Sequence, residues 1–442
     1  MSTHDLTIKN LGKCSVKSPL NLSKASGDGI FNYVTNDDKI LHDTTLQGFL
    51  NAKESNEIPM AFEKAGPREF LYYDPAKTKV AIVTCGGLCP GLNNVIRGVV
   101  NELYYRYKVT RIFGIKYGYE GFISSYQHPI IELNPDFVSQ IHLMGGTILG
   151  SSRGSQDVEA IVDSLEMMNI NILFCIGGDG TLRGAHDIHE EITKRGLKIA
   201  VAGIPKTIDN DINFINRSFG FETSFSIAHN IIKDAHNEAM GAYNGIAIIK
   251  LMGRDSGFIA AHAALSMQEV NFVLIPEMDF ELYGGRGFIK CLKKRLMERN
   301  HAMVVVAEGA GQFLFEEQEK EKDASGNVKH KDIGLLLKEK IAEEFKHSKF
   351  PFTIKYIDPS YIIRSAPANA NDSVFCSQLA QNAVHGAMAG KTDFVVGNWN
   401  DQFTYLPIPV ATNERKKIIL ESELWWNVLE ATGQPVSMKN NP

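Results

Sequence analysis

Residues Asn171–Ala185 read N-I-L-F-C-I-G-G-D-G-T-L-R-G-A, and residues Lys198–Asp211 read K-I-A-V-A-G-I-P-K-T-I-D-N-D. The apolar runs Ile172–Ile176 and Ile199–Ile204 predict two buried strands, and the segment between them has the length of a helical crossover. Both predicted strands end in residues that suit phosphate, metal and proton-transfer chemistry. Because parallel α/β sheets bind ligands at the carboxyl ends of their strands, this unit predicts an active site.

The composition argues against several other classes of protein. A chain of 442 residues has room for two or three domains, and its 46 basic and 51 acidic residues give no basic excess that would favour nucleic acid. No apolar run reaches membrane-spanning length, and the start Met1–Asn10 lacks the pattern of a secretory signal. Six cysteines without a regular framework predict reduced thiols. We therefore expect a cytoplasmic protein that binds neither nucleic acid nor membrane.

A first glycine-rich loop follows the predicted strand Val80–Thr84 and precedes a helical pattern. It reads C-G-G-L-C-P-G-L-N from Cys85 to Asn93, in a geometry that presents backbone N–H groups to a phosphate. A tight structural turn would have the same sequence, so both interpretations stay open for this loop. Cys85 and Cys89 have no second pair at metal-ligand spacing, and we interpret them as buried thiols.

Three further segments carry candidate groups. Arg153 stands in the small-residue loop S-S-R-G, where its guanidinium can meet phosphate oxygens. Asp179 stands among glycines at a helix start, where its carboxylate either caps the helix or holds Mg²⁺ beside bound phosphates. The aromatic residues of Tyr117–Phe122 form either a wall for a nucleotide base or part of the packing at the domain edge.

The heptapeptide P-K-T-I-D-N-D, which ends at Asp211, delivers a cation, a hydroxyl and two carboxylates to one strand end. A kinase needs a carboxylate that accepts the proton of the acceptor hydroxyl, together with cations and Mg²⁺ that spread charge on the transferred phosphoryl group. Asp209 and Asp211 are the candidates for that base. A turn capped by Asp and Asn is the structural alternative.

Four motifs occur in this order: G-G-D-G-T at Gly177–Thr181, P-K-T-I-D-N-D, L-M-G-R-D-S-G at Leu251–Gly257, and Y-I-I-R-S at Tyr361–Ser365. Together they resemble the 6-phosphofructokinases over roughly Lys79 to Ala389. The G-G-D-G-T loop alone is also similar to that of NAD kinases and diacylglycerol-kinase-like enzymes, but neither of these resembles the other motifs. The resemblance implies transfer of the γ-phosphoryl group of MgATP to the 1-hydroxyl of fructose 6-phosphate, the glycolytic step that gives fructose 1,6-bisphosphate.

The resemblance also implies a role for each matching residue. The nucleotide phosphates would contact Gly87, Arg153, Gly154, Gly178, Asp179, Gly180 and Thr181, with Asp179 as the ligand of Mg²⁺. The general base would be Asp209, and the catalytic set would also contain Thr207, Asp211 and Arg254. The sugar phosphate would contact Lys206, Thr207, Ile208, Asp209, Met252, Gly253, Arg254, Glu308, Lys355, Tyr361, Ile362, Ile363 and Arg364.

Two positions bear on the phosphoryl donor. Pyrophosphate-dependent family members carry aspartate at the position of Gly180, where a carboxylate would fill the space and repel the α-phosphate of ATP. Lys206 is shared with those enzymes, but also with the ATP-using branch of plants, trypanosomatids and spirochaetes. We give Gly180 the greater weight because it acts by steric exclusion, whereas a lysine serves either donor. The resemblance therefore favours ATP.

The family resemblance also implies allosteric regulation and a homo-oligomer, either a dimer or a tetramer. Family members often bring an arginine from a neighbouring subunit just before the strand of the M-G-R motif. Asn244 and Gly245 occupy that region here, so this chain departs from the family at the contact between subunits.

The predicted fold class is α/β, with two doubly wound, Rossmann-like parallel-sheet domains and the active site in the cleft between them. We expect an N-terminal extension over residues 1–77, a nucleotide-phosphate domain over 78–213 to which residues 390–442 return, and a sugar-phosphate domain over 214–389. The polar extension either wraps a surface or a subunit contact, or is a partly ordered tail. The charged run Glu316–Asp332 predicts a mobile surface loop, with a lid as the alternative.

Three alternatives to the ATP-dependent kinase stay open. The first is the same transfer from pyrophosphate, and the second is a different kinase that shares the G-G-D-G-T loop. The third is a non-catalytic sensor that binds sugar phosphate and regulates a partner. The presence of both Asp179 and Asp209 favours catalysis over the sensor.

Overall fold

A computed structural model of the chain describes residues 5–55, 57–315 and 328–441, and these divide into two units. The first unit comprises the described residues up to Thr207 together with Ile212–Gly220 and Ala366–Glu414. The second comprises Ile208–Asp211, the described residues between Phe221 and Ser365, and the chain from Arg415 onward. Most of the predicted charged loop, residues 316–327, lies outside the described residues.

The strands are numbered here in chain order, and so are the α-helices. The strands are β1 (Lys9–Asn10), β2 (Val16–Lys17), β3 (Lys39–Leu41), β4 (Ala61–Lys64), β5 (Phe70–Leu71), β6 (Lys79–Thr84), β7 (Arg111–Ile115), β8 (Ile130–Glu132), β9 (Ile172–Gly177), β10 (Ala200–Pro205), β11 (Gly245–Leu251), β12 (Phe272–Leu274), β13 (His301–Ala307), β14 (Thr353–Ile357), β15 (Lys391–Thr392), β16 (Phe394–Trp399) and β17 (Gln402–Pro407). The helices are α1 (Leu46–Glu54), α2 (Leu92–Asn101), α3 (Val158–Met167), α4 (Asp179–Lys194), α5 (Phe221–Met240), α6 (Phe258–Ser266), α7 (Phe288–Arg299), α8 (Ile333–His347), α9 (Ser360–Arg364), α10 (Ala370–Met388), α11 (Ile408–Ala411) and α12 (Glu423–Thr432).

Within the described residues, the first unit carries a nine-stranded sheet in the order β3-β4-β17-β16-β10-β9-β6-β7-β8. The central strands from β16 to β7 are parallel, and antiparallel strands complete both edges. The predicted strand–helix–strand unit is β9-α4-β10, in which Ile176 pairs with Ile204 in parallel register. Apolar residues of α4, such as Leu182 and Ile188, are fully buried against this sheet. The carboxyl ends of β6, β9 and β10 therefore lie at one edge of the sheet.

In the described part of the chain, the second unit has a parallel four-stranded sheet in the order β12-β13-β11-β14. Strand β11 ends directly before Met252, and β13 ends directly before Glu308. Because these strands are parallel neighbours, both residues lie at the same edge of the sheet. The two sheets confirm the predicted α/β class with mostly parallel, Rossmann-like sheets. The predicted cleft between the domains stays a prediction.

The N-terminal segment is built into the first unit. Strand β1 pairs with β15, β2 pairs with β5, and β3 and β4 extend the large sheet beyond β17. Arg68 and Lys391 both pair with the buried carboxylate of Glu63, at 2.8 Å and 2.5 Å. The described part of the predicted extension therefore packs as an ordered layer on the first unit, and is not a partly ordered tail.

The structure divides the rest of the chain differently from the predicted boundaries. Helix α10 lies in the first unit rather than the second, where Asn94 Nδ2 donates to Ser373 Oγ at 3.1 Å. The chain from Arg415 onward lies in the second unit, where the side chain of Gln434 bonds to the backbone N–H and carbonyl of Val273. An amphipathic helix has the same pattern whichever sheet it covers, so the sequence does not reveal these assignments.

No helix among the described residues is long and apolar enough to span a membrane. Cys85 and Cys89 are buried thiols, as predicted.

Candidate active site

The first glycine loop and the Arg153 loop are bonded to each other in the first unit. The N–H of Gly86 donates to the carbonyl of Ser152 at 3.0 Å, and Ser151 Oγ donates to the carbonyl of Gly86 at 2.5 Å. A Cβ added at Gly87 would lie 3.5 Å from Nη2 of Arg153. The exposed guanidinium of Arg153 therefore lies beside the Gly87 backbone, a combination that suits a phosphate group.

Asp179 is not the cap of its helix. The N-cap of α4 is Gly178, and Asp179 is the first helical residue, with its Oδ2 2.9 Å from Nη2 of Arg183. The structure thus rejects the capping interpretation and places the carboxylate in a first turn, where the helix dipole favours negative charge. A Cβ added at Gly180 would meet nothing within 4 Å, so this position opens onto free space.

Lys206 connects the ends of three neighbouring strands. Its N–H donates to the carbonyl of Gly177 at 2.9 Å, and its Nζ donates to the carbonyl of Gly87 at 2.8 Å. The residue is buried, and the carbonyl of the following Thr207 accepts from Ser218 Oγ at 2.6 Å. The predicted phosphate-binding loops after β6, β9 and β10 are therefore held together at one edge of the sheet.

Tyr119 supports the G-G-D-G-T loop from within the core, a role that sequence reasoning missed. Its hydroxyl donates to the carbonyl of Thr181 at 2.7 Å, and the residue is buried. A Cβ added at Gly184 would lie only 2.9 Å from its ring, which explains the glycine at that position of α4. For Tyr119 the structure thus favours packing over a wall for a nucleotide base.

Asp209 lies in the second unit against the M-G-R-D-S-G loop. The N–H of Arg254 donates to Asp209 Oδ2 at 3.3 Å, and Ser256 Oγ donates to the Asp209 carbonyl at 3.2 Å. Asn210 has a φ of +56°, a left-handed conformation that asparagine tolerates better than most residues. The turn therefore directs the carboxylate of Asp209 toward the loop that follows β11.

The electrostatic surroundings of Asp209 suit proton transfer near neutrality. Burial, followed by the negative charges of Asp211 and Glu308, raises the pKa of Asp209 to about 7. The hydrogen bond from Arg254 and the positive charge of Arg364 act in the opposite direction. A carboxylate with this pKa can accept a proton at physiological pH and release it again.

Two glycines allow the ends of β11 and β13 to approach each other. Gly253 has a φ of +128°, and a Cβ added at Gly309 would lie 1.9 Å from the carbonyl of Arg254. The N–H of Gly309 donates to the carbonyl of Gly253 at 3.0 Å, and the N–H of Glu308 donates to the carbonyl of Leu251 at 2.9 Å. These contacts bring Glu308 to the loop that carries Arg254.

Arg364 also reaches the M-G-R loop. Its Nε contacts Sδ of Met252 at 3.3 Å, and it ends the short helix α9. Within that helix, Ile363 is buried while Tyr361 and Ile362 are exposed. Ile363 therefore anchors the helix, which leaves the phenol of Tyr361 and the guanidinium of Arg364 available to a phosphate.

The structure does not bring Lys355 to this group. It pairs with Ala247 in the middle of β11, five residues before Met252, which corresponds to roughly 16 Å along the strand. Its Nζ lies 3.8 Å from Glu238 instead. The register of β14 decides this position, and register is not visible in the sequence.

A different lysine, which sequence reasoning missed, organises the end of β14. Lys250 Nζ lies 2.7 Å from a carboxylate oxygen of Asp332 and 2.9 Å from one of Asp358, and Tyr356 donates its hydroxyl to Asp332 at 2.8 Å. This network fixes the segment that leads into α9. A second missed group, Arg415 and Lys416, contacts Asp211 in the same unit.

Asn244 and Gly245, which stand where family members often have an arginine, form a structural corner. Asn244 is buried with a φ of +51°, and its Nδ2 donates to the carbonyl of Pro351 at 2.8 Å. A Cβ added at Gly245 would lie 2.0 Å from the carbonyl of Ala239. Packing within the unit explains both residues.

One further cluster has the composition of a metal site. His186, Glu190 and Asp393 of the first unit each offer a ligand atom within 4.8 Å of the others. However, Nζ of Lys9 lies 2.9 Å from Asp393 and 3.0 Å from Glu190, so an ammonium group already balances these carboxylates. Within the first unit, these ion pairs connect Lys9 of β1 to Glu190 of α4 and to Asp393, which lies between β15 and β16.

Comparison with known proteins identifies the family of this chain. The family model described as phosphofructokinase matches residues 79–387. An ATP-dependent 6-phosphofructokinase of Borreliella burgdorferi is 50% identical, over 99% of this chain and 98% of that protein. ATP-dependent 6-phosphofructokinase 1 of Arabidopsis thaliana is 50% identical, over 86% of this chain and 80% of that protein.

Among solved structures, a pyrophosphate-dependent phosphofructokinase from Marinobacter aquaeolei superposes with a TM-score of 0.65 at 19% identity, over 80% of this chain and 91% of that chain. At that identity the likeness concerns the fold alone. The fold and the motif loops define an α/β phosphotransferase. The chain belongs to the phosphofructokinase family, as its motifs implied.

Proposed function

We propose that this chain is an ATP-dependent 6-phosphofructokinase, which transfers the γ-phosphoryl group of MgATP to the 1-hydroxyl of fructose 6-phosphate. The observation that carries the proposal is Asp209, a carboxylate whose pKa is raised to about 7 and which is bonded to the M-G-R loop. The 50% identity to ATP-dependent relatives over nearly the whole chain supports the same activity.

Asp209 acts as the general base. It accepts the proton of the 1-hydroxyl as that oxygen forms a bond to the γ-phosphorus, and the bond from phosphorus to the β-phosphate bridging oxygen breaks to release ADP. Arg254 holds Asp209 through its backbone and offers its guanidinium to the charge that develops on the phosphoryl group. Thr207 and Asp211 belong to the same catalytic set, since both stand in the P-K-T-I-D-N-D segment.

Arg364 and Tyr361 bind the 6-phosphate, and Glu308 accepts hydrogen bonds from the sugar hydroxyls. Met252, Gly253, Ile208, Ile362 and Ile363 shape the same region through their backbones and apolar side chains. The contact between Arg364 and Met252 supports this assignment, because it brings a planar cation to the M-G-R loop. Lys355 is left out of the substrate set, since it lies in the middle of β14.

The donor phosphates bind along Gly87, Arg153, Gly154 and the loop Gly178–Thr181. The side chain of Asp179 fits Mg²⁺, because it is a partly exposed carboxylate beside the open space at Gly180. When bound, Mg²⁺ supplies positive charge that neutralises the β- and γ-phosphate oxygens. Arg183 contacts the same carboxylate, so it competes with the ion for Asp179.

ATP is the preferred donor because Gly180 leaves free space where a side chain would restrict the nucleotide. The pyrophosphate alternative has one feature in its favour, the buried Lys206 whose Nζ contacts Gly87. That contact serves the phosphate loop whichever donor is bound, so it does not discriminate. A homo-oligomer, dimer or tetramer, and the family's allosteric regulation remain predictions.

The experiment that tests this function measures fructose 1,6-bisphosphate formation with MgATP and, separately, with magnesium pyrophosphate. We expect turnover with ATP and at most a minor rate with pyrophosphate. Turnover with pyrophosphate alone would replace the proposed donor but keep the acceptor site. Binding of fructose 6-phosphate without turnover from either donor would support the sensor instead.

A further inference from the structure

A segment near the end of the chain, Arg415–Ile418, bonds to both loops of the acceptor site in the second unit. The N–H of Lys416 donates to the carbonyl of Asp211 at 2.8 Å. The N–H of Ile418 donates to Oε1 of Glu277 at 2.8 Å, and the same oxygen accepts from the N–H of Gly257 at 3.0 Å. One loop ends at Asp211 and the other ends at Gly257, so this segment joins them.

Arg415 makes the same connection through its side chain. Its Nη1 lies 3.2 Å from Oδ2 of Asp211 and 2.5 Å from Oδ2 of Asp255. Asp211 is buried, and a buried carboxylate is costly unless a counter-charge or hydrogen bonds satisfy it. The guanidinium, through Nη1, therefore contacts one carboxylate from each loop at once.

The charge of Asp211 matters because it acts on Asp209. After burial, Asp211 is the main cause of the raised pKa of Asp209, followed by Glu308, while the Arg254 hydrogen bond and the Arg364 charge lower it. A cation that pairs with Asp211 reduces the negative charge that Asp209 experiences. Lys416 is another cation near Asp211 among the described residues, but burial lowers its pKa to about 8. Arg415, which contacts Asp211 directly, therefore contributes a permanent positive charge there.

We propose that Arg415 is a positioning residue for phosphoryl transfer, which joins Asp211 to Asp255 and thereby sets both the place and the protonation of the base. The proposal rests on the proposed function, because it assumes that Asp209 accepts the proton of the sugar hydroxyl. Arg415 itself contacts Asp211 and Asp255 rather than the reacting atoms. It lies outside the four motifs and outside residues 79–387, which the family model matches.

The test is the pH dependence of kcat/KM for fructose 6-phosphate in three variants. In Arg415→Gln the acidic limb moves to higher pH, by about 0.5–1 unit, because Asp211 loses its permanent counter-charge. In Asp255→Asn the acidic limb of the pH profile moves to lower pH, because the positive charge of Arg415 is then paired with Asp211 and no longer shared with Asp255. The control Arg286→Gln removes an exposed guanidinium of the same unit and leaves the profile unchanged.

Opposite shifts in Arg415→Gln and Asp255→Asn support the proposal, since a merely structural contact would lower the rate without moving the midpoint. A fall in kcat/KM with an unmoved midpoint in both variants would overturn it. If Arg415→Gln does not fold, Asp255→Asn alone tests the proposal. This variant should fold, because Asp255 is partly exposed and asparagine is nearly isosteric with aspartate.

A second measurement separates this proposal from the proposed function. Infrared difference spectra between the wild type and Asp209→Asn isolate the carboxyl band of Asp209, and its titration gives the pKa without any substrate. The same titration in the Arg415→Gln background should have a higher midpoint. If the wild type fails to phosphorylate fructose 6-phosphate, the proposed function fails, while an unmoved carboxyl titration contradicts the role of Arg415 alone.

Discussion

The N–H of Arg254 donates to Oδ2 of Asp209 at 3.3 Å, which ties the proposed base to the loop proposed to bind the sugar phosphate. The donor is a backbone group, so its position depends on the loop rather than on a side-chain rotamer. Gly253 and Gly309 allow the loop to take that course. The proposed base and the loop proposed to bind the sugar phosphate are therefore fixed to each other within the second unit.

Replacement of the base should remove most of the catalysis. We expect Asp209→Asn to lower kcat by about 10²–10⁴-fold, which is the range for loss of a general base. Binding of fructose 6-phosphate, measured by calorimetry, should stay within a few-fold of the wild type. The matched control is Asp401→Asn, an exposed aspartate whose left-handed φ suits asparagine. Near-normal turnover of a folded Asp209→Asn protein would refute the mechanism.

The same substitution should change how stability depends on pH. The pKa of Asp209 is raised from its ordinary value of 3.8 to about 7, so folding favours the protonated carboxyl. The wild type should lose stability relative to Asp209→Asn as the pH rises between these two values, and the difference should level off above the folded pKa. Thermal melts of both proteins from pH 4 to pH 8 measure this difference in stability. A stability difference that does not vary with pH would contradict the raised pKa of Asp209.

An aspartate at position 180 should discriminate against ATP. Gly180→Asp places a carboxylate in open space in the first turn of α4, so the fold should tolerate it. We expect kcat/KM for ATP to fall by at least about tenfold, because the added carboxylate both fills space that the nucleotide would occupy and repels its phosphates. Gly180→Ala, which adds bulk without charge, should have a smaller effect. Equal losses in both variants would show that bulk rather than charge is responsible.

Lys206 should contribute to the reaction with either ATP or pyrophosphate, without determining which donor is preferred. Lys206→Met keeps the length of the side chain but removes the bond from Nζ to Gly87. We expect a lower rate with ATP and no reversal of the ratio between the ATP and pyrophosphate rates. A reversed ratio in this variant would show that Lys206 helps to select the donor, which would contradict the ranking of Gly180 over Lys206.

The guanidinium of Arg364 should recognise the 6-phosphate. Arg364→Ala removes a charged donor, and such hydrogen bonds contribute about 1.5–3 kcal/mol, so KM for fructose 6-phosphate should rise roughly 10–100-fold. KM for ATP should not change. Arg299→Ala, an exposed arginine at the end of α7, is the control. A parallel rise in both KM values would contradict a role of Arg364 confined to the 6-phosphate.

The local sequence pattern predicted the strands that precede the candidate site residues. The runs before Gly177 and Lys206 are buried strands because their residues are apolar, and because glycines and polar residues end them. The crossover-length segment between the two runs makes the strands parallel. The strands and the loops that follow them depend on short stretches of sequence, which is why they were predictable. That Asp209 and the M-G-R loop act on the same substrate follows only from the family resemblance and stays a prediction.

Contacts between distant parts of the chain were not predictable in the same way. Arg415 lies 204 residues from Asp211, and nothing around it marks its partner. Lys355 was expected at the sugar phosphate, but the register of β14 places it opposite Ala247. Tyr119 stood out as one of several aromatics, yet only the fold reveals that its hydroxyl supports Thr181. Register and long-range packing decide each of these cases.

The most direct test of the proposed activity is ³¹P NMR of the purified protein with MgATP and fructose 6-phosphate. We predict that the γ-phosphate resonance of ATP disappears while ADP and a second phosphomonoester, at carbon 1 of the sugar, appear in equal amounts. Asp209→Asn should leave the spectrum unchanged over the same time. An unchanged spectrum for the wild type, or γ-phosphate that appears as inorganic phosphate alone, would contradict the proposed transfer to the sugar.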